Sequence, residues 1–268
     1  MATTVQMHAP AFVLPEAAAA ARQAAPLLWR FSVAFALLFA ALYGLTFIDP
    51  RLFAGVSVWE KPAKFALSLG LQMATVAWAL SHAPVELQRS GKIRVATWLI
   101  LVSVLFEMLY IGGQAARGEA SHFNTGTPLT ATLYILMGLG AVTLTAGSGF
   151  VGALILRART DFMGVAAGSG LILGAVLGTL VGGFLSSGSG HWIGGDMTDA
   201  TGLPFFHWST SGGDLRVAHF IGLHAAQALP LAALSGRGWA VMATGLGISL
   251  ATLATFLQAL AGMPLLQG

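Results

Sequence analysis

The sequence predicts an all-α, polytopic membrane protein with seven transmembrane helices, and three observations lead to this fold class. Of its 268 residues, 56% are hydrophobic and only 9% are charged, too little charge to cover a soluble globule of this size. Apolar runs long enough to cross a bilayer, about 20 residues each, occur seven times. Proline, glycine and charged residues separate the runs, a pattern that suits helices rather than barrel strands.

The predicted spans follow the chain in order. They cover residues 26–48, 62–82, 95–116, 128–156, 163–186, 215–235 and 238–262. Residues 1–25 are expected to form an N-terminal tail, and residues 26–268 a single transmembrane domain. A connection at about 187–214, rich in Gly, Ser and Thr and containing two tryptophans, is predicted to be an ordered extracytoplasmic loop.

Basic residues predict the orientation. If the N-terminus is cytoplasmic, eight basic residues lie on the cytoplasmic side and five on the other, which favours this orientation. The eight are Arg22, Arg30, Arg89, Lys92, Arg94, Arg157, Arg159 and Arg237. The connections after spans one, three and five, which carry most of the unusual polar residues, then share the outer face.

Composition excludes several kinds of site. The chain has no cysteine, which removes disulfides, thiolate metal sites and cysteine nucleophiles. The net charge is +3, but the basic residues are dispersed at helix ends, so no nucleic-acid partner is expected. The glycine-rich pieces follow no strand, so neither NAD nor another nucleotide is expected as a cofactor.

Spans two and three each carry a polar stripe at helical spacing. The first stripe is Lys61, Lys64, Ser68 and Gln72; the second is Ser103, Glu107, Tyr110, Gln114 and Arg117. Glu107 lies near the middle of its span, where a carboxylate costs about 2.5 to 3.5 kcal/mol unless it is paired or protonated. Glu107 is therefore a candidate functional residue.

The sixth span is the most unusual, because the apolar stretch GGDLRVAHFIGLHAAQALP carries polar residues along one face. These are Arg216, His219, His224 and Gln227. Asp214 is predicted to cap the start of this helix, and Pro230 to loosen its hydrogen bonding.

The fifth span carries glycines at intervals of four, at Gly170, Gly174, Gly178 and Gly182. Such a ridge favours close packing of another helix, and it could mediate a homo- or hetero-oligomer. A flat cofactor lying on the ridge is the minority alternative.

Three blocks resemble a family of bacterial multi-pass membrane proteins of uncharacterised function. They are WEKPAKF at 59–65, QAARGEASHFN at 114–124, and a block ending in GGDLRVAHFIGLHAAQALP at 202–230. The resemblance implies location in a bacterial inner (plasma) membrane and brings no activity with it. A weaker similarity links Ser121-His122 and the His219/His224 pair to the alkaline ceramidase and adiponectin receptor superfamily, which are seven-helix zinc hydrolases. Their paired histidines lie on the last helix at a spacing of four, whereas here they lie on the sixth at a spacing of five.

The histidines are candidate ligands for a metal ion or a haem-type cofactor, because neutral imidazole binds both. The metal-ligand candidates are His122, His219 and His224, with His191 as a further one. The alternative is that each histidine only bridges helices by hydrogen bonds.

Two further groups complete the predicted site. Glu107 and Asp214 are the catalytic candidates. The ligand-binding candidates are Lys61, Lys64, Gln114, Arg117, Asn124, Arg216 and Gln227. Converging cations suit carboxylates, phosphates or haem propionates, although lysines at helix ends also snorkel to the interface without binding anything.

Four functions are compatible with this site. The leading interpretation is a membrane-bound oxidoreductase with a metal or haem cofactor near the extracytoplasmic face. A proton-coupled transporter or channel, in which Glu107 and the histidines titrate, is the second. A zinc-dependent membrane hydrolase and an accessory subunit of a membrane complex, whose polar network only maintains shape, are the others.

Overall fold

The structure is a computed structural model that describes residues 14–158, 160–188 and 190–267. Residues 1–13 of the predicted tail and Arg159, which enters the charge count, lie outside the described residues.

The described residues form a bundle of helices with two very short strand pairs. The helices are α1 (Leu14–Ala24), α2 (Pro26–Leu45), α3 (Glu60–Ser81), α4 (Val85–Gln88), α5 (Gly91–Arg117), α6 (Pro128–Arg157), α7 (Phe162–Ser187), α8 (Leu215–Leu223), α9 (Ala225–Ala233) and α10 (Gly238–Leu260). The antiparallel pairs are β1 (Leu52–Phe53) with β2 (Val56–Ser57), and β3 (Trp192–Ile193) with β4 (Gly213–Asp214).

Six helices of the described chain are long and apolar enough to cross a bilayer: α2, α3, α5, α6, α7 and α10. The prediction of an all-α, multi-pass membrane protein is confirmed at this level. The large apolar side chains that these helices expose, such as Leu109 and Leu180, suit contact with lipid. Part of the predicted tail is helical, since residues 14–24 form α1. This helix packs against α2 and α3.

The predicted sixth span is not one helix, since it divides at His224 into α8 and α9, of nine residues each. Nδ1 of His224 donates to the carbonyl oxygen of Phe220 at 2.8 Å and so competes with the backbone for that acceptor. Pro230 has no amide proton to offer Ala226, one turn earlier. The bond from the His224 ring therefore accounts for the interruption at His224, and the bond lost at Pro230 lies within α9.

The glycine ridge of α7 accommodates the interrupted pair. A Cβ added at Gly170 would lie 2.7 Å from the Ala225 carbonyl oxygen, and one at Gly174 would lie 2.9 Å from the Leu223 carbonyl oxygen. A Cβ at Gly182 would lie 2.8 Å from the ring of His219. The ridge predicted as a close packing surface is therefore occupied within the chain, by α8 and α9.

Three connections meet at one end of the bundle, which we call the loop face: those between α2 and α3, between α5 and α6, and between α7 and α8. Arg51 Nη1 donates to the Ala116 carbonyl oxygen at 2.8 Å. The amide of Asp199 donates to the Ala54 carbonyl oxygen at 3.0 Å, which holds the long connection against the β1–β2 hairpin. At the opposite end, His82 Nδ1 lies 3.1 Å from Asp161 Oδ2 and links α3 to α7.

The half of the bundle away from the loop face has a dry core. Met73, Val76 and Leu80 of α3 pack with Ile100 and Leu101 of α5, and each has less than 2% of its surface exposed. This half closes the bundle below the polar residues described next.

Candidate functional site

A cluster of ionisable side chains lies where the N-terminal ends of α3 and α8 meet the connection between α7 and α8. We call it the loop-face cluster. Its members are Glu60, Lys61, Lys64, Glu107, His122, His191, Asp199, His207, Asp214, Arg216 and His219.

Arg216 is the best-anchored member. Asp214 caps α8 by accepting the Arg216 amide at 3.0 Å, and it also accepts Nε at 3.0 Å and Nη2 at 2.7 Å. Nη2 lies 2.9 Å from Asp199 Oδ1 as well. The predicted cap is confirmed, and the same carboxylate neutralises the guanidinium of Arg216.

The segment 203–208 lies against the cluster in an unusual backbone conformation. Phe205 and His207 have φ values of 66° and 55°, in the left-handed region that bulky residues rarely adopt. The Phe205 carbonyl accepts Lys64 Nζ at 3.0 Å, and the His207 carbonyl accepts Arg216 Nη2 at 2.6 Å. Two cations thus hold the two left-handed residues in place.

Among the described residues, Lys61 and Glu107, unlike Arg216 and Asp214, are not joined to a charged partner by a direct contact. They interact electrostatically with each other, and Lys61 also interacts with Asp199 and Arg216. Within the described chain, however, neither side chain makes a direct ion pair or hydrogen bond. Glu107 is only 3% exposed. Gly140 of α6 leaves room for the carboxylate, because a Cβ there would lie 3.2 Å from Oε1.

Two of the predicted histidines lie in loop-face connections and are neutral. His122 Nδ1 lies 3.1 Å from Ser121 Oγ, and its ring packs against Phe65. Burial lowers the pKa of His122 well below its ordinary value, and the nearby charge of Lys61 adds to this. Burial also lowers the pKa of His191, whose Nε2 lies 3.8 Å from Asp199 Oδ1.

The remaining two histidines differ in their surroundings. His219 lies against Gly182 and interacts with the backbone of Gly178, and its Nδ1 has no hydrogen-bond partner among the described residues. His224 lies deeper in the bundle and is bonded to Phe220. In the described part of the chain, no group of three or more His, Asp or Glu side chains is arranged to hold a metal ion.

Four predicted ligand-binding residues are not brought into the cluster. Gln114 and Asn124 both donate to the Ala120 carbonyl, at 2.9 and 3.0 Å, and so hold the turn that carries His122. Arg117 points outward with 63% of its side chain exposed and pairs with Glu119. Gln227 donates to Thr75 Oγ1 at 2.9 Å and joins α9 to α3.

Unsatisfied polar atoms are concentrated around the cluster. Nine buried side-chain atoms in the described ranges have no hydrogen-bond partner: Glu60 Oε2, Glu107 Oε1, Tyr110 Oη, His191 Nε2, Trp192 Nε1, Asp199 Oδ1, His207 Nε2, His219 Nδ1 and Thr252 Oγ1. All belong to loop-face connections or to helix positions within ten residues of a loop-face end. Four of them still lie within ion-pair distance of a group of opposite charge type: Glu60 Oε2, His191 Nε2, Asp199 Oδ1 and His207 Nε2. The other five are expensive to bury unless water or a ligand completes their bonding.

Sequence reasoning did not select three members of the cluster. Glu60 adjoins Lys61 and lies one turn before Lys64, a spacing that could have indicated the pair. Asp199 and His207 lie in an irregular connection, where no periodicity shows which way a side chain points. Only the folded path of the connection brings them to α3 and α8.

The chain matches no protein-family model, no curated protein and no solved structure. Its function is therefore inferred from the geometry of the loop-face cluster.

Proposed function

We propose that this protein binds a small anion at Lys61, from the loop face, and transports it together with a proton held on Glu107. The observation that carries the proposal is the Lys61–Glu107 pair. Among the described residues of the cluster, the other two cations have acidic partners, since Arg216 pairs with Asp214 and Asp199 and Lys64 pairs with Glu60. Lys61 is left as the cation that can accept an anion.

The carboxylate of Glu107 and the incoming anion compete for Lys61, and this competition couples anion binding to proton binding. When Glu107 is ionised, it is a counter-charge for Lys61 that has no direct ion pair of its own among the described residues, and an incoming anion would meet a like charge. When Glu107 takes up a proton, the charge of Lys61 is no longer compensated by it. An anion then restores neutrality in a region of low dielectric. Binding of the anion and of one proton are therefore linked, and each increases the affinity of the other.

The interrupted helix supports transport rather than binding alone. We infer that α8 and α9 together make a seventh crossing, because the 19 residues from Leu215 to Ala233 span about 28 Å at 1.5 Å per residue. Helices interrupted at mid-membrane are typical of secondary transporters, whose substrate sites they line. With the N-terminus cytoplasmic in a bacterial inner membrane, the loop face is extracytoplasmic. Release to the cytoplasm then requires the dry half to open.

Titration calorimetry and uptake in proteoliposomes test the proposal, with acetate, succinate and inorganic phosphate as probes. Above the pH at which Glu107 ionises, the affinity for the bound anion should fall about tenfold per pH unit, and about one proton should enter with each anion. Glu107→Gln should retain binding but lose its pH dependence and proton uptake. Lys61→Met should abolish binding.

Two exposed residues on the same face provide matched controls. Arg117→Met removes a cation and Glu119→Gln removes a carboxylate, and neither lies in the cluster. Both should bind as the wild type does. Absence of binding for all three probes at every pH, or an unchanged pH dependence in Glu107→Gln, would sink the proposal.

A metal or haem cofactor is the second candidate, favoured by nitrogens of His191 and His219 that make no hydrogen bond among the described residues. An optical spectrum and elemental analysis of the same preparation distinguish it from anion transport. A Soret band, or stoichiometric metal lost in His219→Ala, would favour the redox or zinc-hydrolase interpretation. A colourless, metal-free protein that binds no anion would leave the accessory-subunit interpretation.

A further inference from the structure

A groove of about 530 Å³ opens at the end of the bundle opposite the loop face. It lies between the beginning of α5 and the end of α6. Its lining includes the cations Lys92 and Arg157 and the apolar residues Leu87 and Leu154. The groove is separate from the loop-face cluster, and nothing in the proposed transport function depends on it.

The two cations of the groove are uncompensated. In the ranges that the structure describes, neither Lys92 nor Arg157 has an acidic side chain within ion-pair distance. Both are solvent-exposed in the bare protein. Two positively charged side chains that line one partly apolar groove fit a ligand with an anionic group and an adjoining apolar part.

The position of the groove selects a lipid as that ligand. The groove lies at the ends of two helices long enough to span a bilayer, and this end therefore lies at the level of the lipid headgroups. Below it, α5 exposes Val95 and Leu99, with 60% and 47% of their surfaces accessible. A phosphate ion free in solution could pair with the cations but would leave the apolar walls without contact.

We propose that this groove binds the phosphate of an anionic phospholipid between Lys92 and Arg157, with its acyl chains along the exposed face of α5. The phosphate bridges the end of α6 to the beginning of α5. The lipid thereby ties together two helices at the end of the bundle opposite the loop-face cluster.

Native mass spectrometry of the full chain, released from detergent in the presence of phosphatidylglycerol, tests this proposal. The wild type should retain phosphatidylglycerol, and an equal concentration of phosphatidylcholine should bind much more weakly. Lys92→Gln/Arg157→Gln should weaken phosphatidylglycerol binding about twentyfold, which corresponds to roughly fivefold per cation.

The matched control is Arg89→Gln/Arg94→Gln, which removes the same charge from the same end without altering the lining of the groove. It should bind phosphatidylglycerol as the wild type does. An equal loss of phosphatidylglycerol binding in the two double variants would show that only the overall surface charge matters, and it would overturn the proposal. Displacement of the lipid by millimolar inorganic phosphate would overturn it as well.

A second variant covers the case in which the first does not fold. Ala158→Phe places a bulky ring in the groove and leaves both cations in place. It should also lose phosphatidylglycerol, whereas retention at wild-type affinity would contradict a site inside the groove.

Discussion

The two halves of the bundle satisfy their buried groups in opposite ways. The half away from the loop face is packed with apolar side chains such as Met73, Leu80 and Ile100, which have less than 2% of their surfaces exposed. The loop-face half buries ionisable side chains instead, and every buried side-chain atom that lacks a hydrogen bond in the described residues lies there. An unsatisfied buried group costs about 1–3 kcal/mol. The dry half therefore contributes stability, and the polar atoms buried in the loop-face half reduce it.

Within the loop-face half, the anchored and unanchored charges also differ. The carboxylate of Asp214 is 1% exposed and is neutralised by Arg216, which makes the pair a fixed part of the scaffold. Lys61 and Glu107 lack such direct contacts among the described residues. The comparison predicts that removing an anchored charge affects the fold, and that removing an unanchored charge affects function.

The largest expected effect on stability is that of Arg216→Met. It leaves Asp214 buried without its counter-charge and also removes the donor to the His207 carbonyl. Removing one partner of a buried ion pair typically lowers the free energy of unfolding by about 3–5 kcal/mol. Denaturant unfolding in detergent micelles should show a loss of this size. The exposed Arg117→Met should lose less than about 1 kcal/mol. Equal losses in the two variants would mean that Arg216 is no better anchored than a surface residue.

A pH titration of stability sharpens the comparison next. Because burial lowers the pKa values of His122 and His191, both bind a proton less readily in the fold than in the unfolded chain. The unfolded chain takes up protons on these residues below about pH 6.5, so the folded state loses stability as the pH falls. The loss is up to about 1.4 kcal/mol per pH unit for each histidine.

The measurement is the thermal midpoint in detergent between pH 7 and pH 5. The midpoint should fall in the wild type and fall less in His191→Gln, which has one buried imidazole fewer. Asp199, Asp214 and Arg216 are the charged groups that act on His191. An equal fall of the midpoint in the wild type and in His191→Gln would contradict the lowered pKa of His191 in the fold.

Local sequence patterns predicted the parts of the molecule that depend on local physics. Hydropathy located the six long helices, because spanning a bilayer requires about 20 apolar residues whatever the tertiary fold. The cap at Asp214 followed from two glycines, an acid and an apolar run. The ridge on α7 followed from a spacing of four, although spacing alone could not show that α8 and α9 would cover it.

The features that the sequence did not predict depend on contacts between residues distant in sequence, or on the hydrogen bond of a single side chain. Arg117 and Arg216 both adjoin polar stripes, yet Glu119 draws the first outward while Asp199 and Asp214 hold the second inward. The break at His224 depends on a side-chain nitrogen taking the Phe220 carbonyl. Hydrophobic periodicity carries no information about either choice.

The smallest expected effect concerns the ridge that connects the two halves. Gly174→Ala would place a methyl group 2.9 Å from the Leu223 carbonyl oxygen and 3.3 Å from the Ala226 amide nitrogen, both in the backbone beside the break. Gly183 lies on the same helix and has no atom within 4 Å of its added Cβ. In a helix, alanine is otherwise preferred over glycine by roughly 1 kcal/mol. Gly183→Ala should therefore be neutral or slightly stabilising, and Gly174→Ala should destabilise by roughly 1–3 kcal/mol.

The pair of variants also separates packing from function. If the break is seated on the ridge, Gly174→Ala must displace α8 relative to α7, and α8 carries His219 and Arg216. Anion uptake should then fall in Gly174→Ala even at temperatures where the protein remains folded, while Gly183→Ala transports normally. Equal stability and uptake in the two variants would mean that α8 and α9 can shift away from α7 without disturbing the cluster, so that the two halves are mechanically independent.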